Sequence, residues 1–251
     1  MQGVVIRMLA GLLGLTVAAS VRADDQAQAR GVVDQATKAM GPEEKLSRLK
    51  ATTWKAKGTF YGFGNGAPFT SAWAVLPPHR SRRSSESGTG NRKFTIVIVV
   101  DDQKGWIKQG DALREMDKER LKAEEVQGYL FWVRTLTPLK GRDFKLMPLG
   151  ESKIGAQTVV GVKVEHKGRP DVQLFFDKQS GLLLKDTTRV INFLNGKEAD
   201  QVELFSDYKD YEGVKHPTKL IVKLDGKLLL ESELSDFKDR DKLEESAFAK
   251  P

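Results

Sequence analysis

The architecture this sequence predicts is mainly β: one long antiparallel sheet, strongly curved or closed into an incomplete barrel, covered by a few helices. Three observations carry it. Segments with apolar residues at every second position follow one another from about residue 52 to residue 238, separated by polar, Gly-containing turns. Few stretches show the three-to-four residue apolar spacing of a helix. A sheet of more than about ten strands must curl or close.

The first 23 residues are expected to stand apart from this fold. Arg7 supplies a positive charge, residues 8–19 are almost wholly apolar or small, and Val21 and Ala23 occupy small-residue positions just before "DD". That layout is a secretory signal with cleavage after Ala23, and its apolar run is shorter than the ~20 residues that span a bilayer. The expected organisation is a signal peptide over residues 1–23 and one domain over residues 24–251, within the size range of β-rich domains. The expected location is the periplasm.

The chain has no cysteine, so the fold carries no disulfide and offers no acceptor for lipoprotein-type lipid attachment. The mature protein is accordingly expected to be soluble and monomeric. Arg7 and Arg22 leave with the signal, which lowers the formal charge from +7 to +5. A mild excess spread along the chain suits solubility and contact with anionic lipid. The densest basic run, "HRSRR" at 79–83, has no interleaved aromatic residues, so it reads as a solvated strand face and no nucleic-acid partner is expected.

Within the mature chain, Ala29, Val32, Val33, Ala36, Ala39 and Met40 line one face of a helix over 24–40, which "GP" stops. A short helix over 42–50 follows, with Pro42 at its first position. The period then changes to two. Trp54, Ala56, Gly58 and Phe60 share one side of a strand, Phe69, Ser71, Trp73 and Val75 share one side of the next, and "GFGNG" joins them. Gly62, Gly64 and Ala67 fit a dinucleotide fingerprint, but Pro68 and another alternating run stand where that site needs a helix, so the segment reads as a hairpin turn. Further strands are predicted at 79–87, 92–100, 104–109, 143–150, 154–166, 171–177, 182–191, 198–208, 214–224 and 227–238. A single internal helix is predicted over 118–137, where Leu121, Val126, Tyr129, Leu130, Val133 and Leu136 mostly form one face.

Signatures of catalysis do not stand out. His79, His166 and His216 lack metal-ligand spacing, no G-x-S-x-G elbow exposes a nucleophile, and no carboxylate pair is singled out, so no metal, cofactor or catalytic residue is assigned. The aromatic inventory is more informative. Trp54, Phe60, Phe69 and Trp73 alternate in phase across one hairpin, and Phe131 and Trp132 lie on the internal helix. They serve either an ordinary core or the lining of a hydrophobic cavity under a curved sheet.

In order of elements the chain resembles the LolA/LolB superfamily of lipoprotein carriers. The resemblance rests on the helix ending at "KAMG", the "GW" at Gly105 and Trp106, "LFFDKQSGLLLK" at 174–185, "FSDYKDYEGVKHPTKL" at 205–220 and the closing "LEESAFAKP". It implies an incomplete β-barrel around a hydrophobic cavity that receives the acyl chains of lipids or lipoproteins. Transient contact with a membrane, or with a membrane-protein donor and acceptor, is implied as well. LolB-like members are lipid-anchored, which the absence of cysteine opposes. The function expected is a carrier and not an enzyme; an extracytoplasmic sensor or interaction module of MucB/RseB-like fold, and an uncharacterised hydrolase, are the alternatives.

Overall fold

The computed structural model describes residues 14–62, 64–89 and 92–251. The first part of the expected signal, residues 1–13, lies outside them. Helix α1 (Gly14–Met40) runs without a break past Ala23, and α2 (Glu43–Arg48) follows. The N-terminal strands are β1 (Ala51–Phe60), β2 (Ala67–Leu76), β3 (Arg80–Thr89), β4 (Arg92–Asp101), β5 (Lys104–Gln109) and β6 (Ala112–Glu115). Helix α3 (Lys118–Arg134) and a 3-10 turn (Thr137–Lys140) lead to β7 (Phe144–Ile154), β8 (Gln157–His166), β9 (Val172–Asp177), β10 (Leu183–Ile191) and β11 (Glu198–Ser206). A small ribbon of β12 (Lys209–Tyr211) and β13 (Val214–His216) precedes β14 (Lys219–Leu224) and β15 (Lys227–Arg240).

Thirteen of these strands form one antiparallel, curved and unclosed sheet in the order β6-β5-β4-β3-β2-β1-β15-β14-β11-β10-β9-β8-β7. The joint between β1 and β15 places the two meanders side by side, with Ala56 opposite Leu234 and Gly58 opposite Ser232. Helix α3 is therefore the connection between the two outermost strands. It crosses the inner face of the sheet and packs against both halves: Tyr129, Leu130 and Val133 enter a core with Val162, Val164, Leu174 and Phe176, while Phe131 packs against Trp54 and Trp73.

Helix α1 closes the β7 edge. Gln26 Oε1 accepts the Leu146 N–H at 2.8 Å, and the Arg30 guanidinium donates to the carbonyls of Leu139, Lys140 and Gly141 at 3.2–3.3 Å. The Leu146 N–H, which would otherwise be open to another strand, is thereby occupied. These anchors, and the buried Ala29, Val33 and Ala36, all follow Ala23. At the opposite edge β6 is only four residues long and exposed throughout.

The hairpin "LFFDKQSGLLLKD" is wall. Leu174 and Phe176 point inward and are buried, and the turn is tied by Gly181 N–H to the Asp177 carbonyl at 2.8 Å and Ser180 N–H to Asp177 Oδ1 at 2.7 Å. Gly181 takes φ +75°, and a Cβ there would meet the Ala39 Cβ of α1 at 3.0 Å, so the turn demands glycine on both counts.

The structure departs from the sequence expectations at several places, and it adds two short strands that the pattern did not predict, β6 and β12. The break expected at 151–153 is absent, because β7 continues through a register shift between Pro148 and Gly150 and turns only at Gly155. The strand expected over 214–224 is two, β13 and β14, since Pro217 has no N–H to continue a ladder. The basic run at 79–83 does not make one solvated face. Arg80 and Arg82 fall on the outer side of β3, whereas Arg83, opposite Trp73, falls on the inner side. Arg80 binds Asp101 at 2.7 Å and Glu245 at 2.6 Å and lies 4.7 Å over the Phe248 ring, which pins the C-terminal turn to the outside of the sheet.

Helix α3 sits so close to the β2–β3 turn that a Cβ at Gly128 would meet the Pro78 carbonyl oxygen at 2.3 Å. In an open helix Gly→Ala is stabilising by about 1 kcal/mol. Here the obstacle is backbone, and Gly128→Ala is expected to lower stability by ~1–3 kcal/mol in urea denaturation. A variant as stable as the parent would mean that the helix has room to move away.

Candidate ligand-binding site

Two kinds of contact hold α3 against the sheet. The first is polar. Asp117 caps the helix by accepting the Arg120 N–H at 2.7 Å, which fixes where it begins. In the last turn, Arg134 Nε lies 2.6 Å from Asp186 Oδ2 on β10, and Nη2 lies 2.7 Å from Glu203 Oε1 on β11. Asp186 and Glu203 are register partners, so one guanidinium spans both. Gln201 Nε2 donates to Glu203 Oε1 at 2.7 Å, and Gln127 Nε2 donates to Gln201 Oε1 at 3.3 Å. Gln127 and Arg134 are two turns apart on one face of α3, and together they form a polar rail along it.

This rail is electrostatically crowded. Asp186 is fully buried, and its Oδ1 has no hydrogen-bond partner among the described residues. Burial, reinforced by the charge on Glu203 and only partly offset by Arg134, pushes the Asp186 carboxyl up to about 6. Burial alone would lower Arg134, but the two carboxylates raise it further above its ordinary value.

The second contact is aromatic. Trp54 and Trp73 are register partners on β1 and β2, stacked with centroids 5.2 Å apart and planes 9° from parallel. Phe131 of α3 meets them at 5.4 and 5.7 Å, Phe237 lies 6.0 Å from Trp54, and Phe69 packs alongside. The Trp73 Nε1–H donates to Ser71 Oγ at 2.9 Å, so its one polar atom is satisfied in place.

Of the six aromatic residues singled out in the sequence, Trp54, Phe69, Trp73 and Phe131 thus meet in one group. Phe60 lies at the end of β1, 6.3 Å from Phe193, beside the cluster of Val190, Val222, Leu224 and Leu229. Trp132 faces the other way, 5.3 Å from Phe144 and 6.0 Å from His166. Phe131 itself fills the seam between helix and sheet. Two open clefts lie on other parts of the molecule: one of about 340 Å³ beside Arg30, Leu139 and Leu146, and one of about 330 Å³ between the first turns of α3 and the turn at 168–170.

Sequence reasoning missed the basic partners of this group. The Arg83 guanidinium lies 4.8 Å over the Trp73 ring, and that of Arg120 lies 5.3 Å over Phe193. A signal for Arg83 was present: in a strand, neighbours point to opposite faces, so Arg82 and Arg83 cannot both be solvated on one side. Asp186 and Glu203 carried no such signal, since each is a single acid among many and only the register between distant strands brings them to Arg134.

A LolA superfamily protein from Nitrosomonas europaea matches 88% of this chain and 97% of its own at TM-score 0.56 and 12% identity. A putative outer membrane lipoprotein-sorting protein domain from Vibrio parahaemolyticus matches 86% and 97% at TM-score 0.53 and 11% identity. The fold is LolA-like. A DUF1329 family protein from Desulfovibrio piger shares it at TM-score 0.58 and 10% identity, over 88% of this chain and 97% of that one. No protein-family model matches the sequence, and no curated protein does. Among the described residues of this LolA-like chain, no helix is long and apolar enough to cross a membrane.

Two outcomes are expected of the rail. Arg134→Met leaves two buried carboxylates without a cation and should destabilise by ~3–5 kcal/mol, whereas the triple change with Asp186→Asn and Glu203→Gln should recover much of that loss. A triple variant no more stable than the single one would show that charge is not what the arginine balances. Asp186 also imposes a pH dependence. Its folded pKa is raised, so the folded state holds the proton more tightly, and its contribution to stability falls as pH rises through about 6. Between pH 7 and pH 5, wild type should gain about 1 kcal/mol relative to Asp186→Asn in paired urea titrations. A constant difference between the two proteins would exclude a raised Asp186.

Proposed function

We propose that this protein is a soluble periplasmic carrier, exported with cleavage after Ala23, that holds acyl chains of lipids or lipoproteins against the inner face of its sheet. The observation that carries the reading is the aromatic seam: Trp54, Trp73 and Phe131 come from two strands and the edge-to-edge helix, and they meet where α3 rests on an unclosed sheet. Withdrawal of α3 from β1 and β2 would expose Trp54, Phe69 and Trp73 together, with Phe60 at the outer end. Phe131 would then face the ligand from the helix, while Trp132 stays packed against Phe144 and His166.

The LolA-like fold supports this reading, as does the name of the Vibrio parahaemolyticus neighbour as a putative lipoprotein-sorting domain. So does the energetics of a chain in such a place. Each buried CH₂ contributes ~0.8 kcal/mol before the costs of association, so a long chain binds without any polar contact. The role proposed is binding and transfer, without catalysis.

Displacement of a fluorescent fatty-acid probe from delipidated, refolded protein tests the proposal. Trp73→Asp should weaken probe binding by at least about tenfold, because an unpaired carboxylate is costly in an apolar site. Arg82→Ala, on the outer face, should leave binding unchanged, with circular dichroism confirming that both variants are folded. A wild-type protein that binds no acyl probe would overturn the carrier reading in favour of a sensor or interaction module.

A further inference from the structure

We propose that Arg83 and Arg120 receive the anionic head of an amphiphile, so that the ligand of the aromatic seam is an acidic lipid and not a neutral one. This deepens the acyl-chain reading above and rests on it.

Other poorly exposed arginines are matched by carboxylates. Arg134 has Asp186 and Glu203, and Arg80 has Asp101 and Glu245. Cations withdrawn from water are ordinarily paired in this way. Arg83 departs from the pattern. It is half-buried on the inner face and makes no ion pair or hydrogen bond with any described residue; it lies instead over the face of Trp73. The nearest balancing charge, Glu124, is already bound to Arg120, and Arg120 repels Arg83. Two guanidinium groups thus share one carboxylate in a place shielded by α3. Burial, with repulsion from Arg120 and against attraction to Glu124, holds Arg83 below the usual arginine range.

What these groups leave free indicates what they take. A guanidinium uses its planar face to stack and its edge to donate. Arg83 and Arg120 each present a face to an aromatic ring, and Arg120 Nε is buried with no acceptor among the described residues. Their unused edge donors suit the oxygens of a carboxylate or phosphate, which guanidinium binds through paired hydrogen bonds. The apolar surroundings suit what is attached to that head. Trp73, beneath Arg83, is the centre of the seam proposed for the acyl chain. Phe193, beneath Arg120, is 47% exposed at the end of the sheet, next to exposed Ile191 and Leu194. A head group held between the two arginines leaves its chain lying among these rings.

The test compares oleate and oleoyl lysophosphatidate with neutral monooleoylglycerol, each displacing an uncharged fluorescent probe from the full-length protein, with inorganic phosphate as a head group lacking a chain. Wild type is expected to bind both acidic lipids at least about tenfold more tightly than the neutral one, the value of one charge-assisted hydrogen bond. Arg83→Gln should abolish that preference while keeping affinity for monooleoylglycerol, and Arg83→Lys should restore part of it. Arg82→Gln serves as the outer-face control, and circular dichroism verifies folding. An acidic-to-neutral ratio that is unchanged in a folded Arg83→Gln, Arg120→Gln double variant overturns this inference and leaves the carrier reading standing. A wild type that binds all three lipids equally does the same. Phosphate that competes as strongly as the lipids would show a free-anion site instead, and a wild type that binds no lipid at all would remove both readings.

Discussion

One buried guanidinium sets the geometry of the inner face. Arg134 bridges Asp186 and Glu203 across adjacent strands, and the amide chain through Gln201 to Gln127 continues that attachment two turns back along α3. An apolar stripe alone would allow a helix to roll or slide on a curved sheet, because dispersion contacts are many and individually weak. A charge with two fixed partners does not allow this, since any displacement leaves a carboxylate buried and unpaired. The rotation it imposes on α3 decides the rest: Phe131 is aimed at Trp54 and Trp73, Trp132 is turned toward Phe144, and Arg120 and Glu124 are placed near Arg83.

The same arrangement gives the inner face two compartments of opposite electrostatic character. Around Arg134, two carboxylates surround one cation, and burial raises Asp186 in response. Around Trp73, two arginines share one carboxylate. The sheet supports this division through its topology. Because β1 pairs with β15, the aromatic strands β1 and β2 belong to one meander and the acidic strands β10 and β11 to the other, and α3 lies across both.

Much of the wall was legible from local pattern. Period-two alternation placed Trp54 and Trp73 on one face, and the register confirmed them as direct neighbours. The turn at 177–182 was equally readable, because Gly181 and the Asp177 cap are local devices. Legibility failed where a residue's role depends on a distant strand. Phe60 and Trp132 share type and period with the other aromatics, yet Phe60 lies six residues along β1 from Trp54, beside Phe193, and Trp132 follows Phe131 by a 100° helical step that turns it toward Phe144 and His166.

What the sequence by itself determined, then, is a mainly β chain of many short strands with an internal helix, since side-chain alternation and turn chemistry act between near neighbours. The tertiary structure decided which acid meets which arginine, which aromatic rings touch, and that Arg83 faces inward over Trp73 with no counter-charge of its own. Those outcomes follow from strand order and register, which join residue 51 to residue 240 and lay residues 118–134 across both halves of the sheet. No local spacing encodes such pairings, because the free energy that selects them is gained only when the whole sheet has curved around its helix.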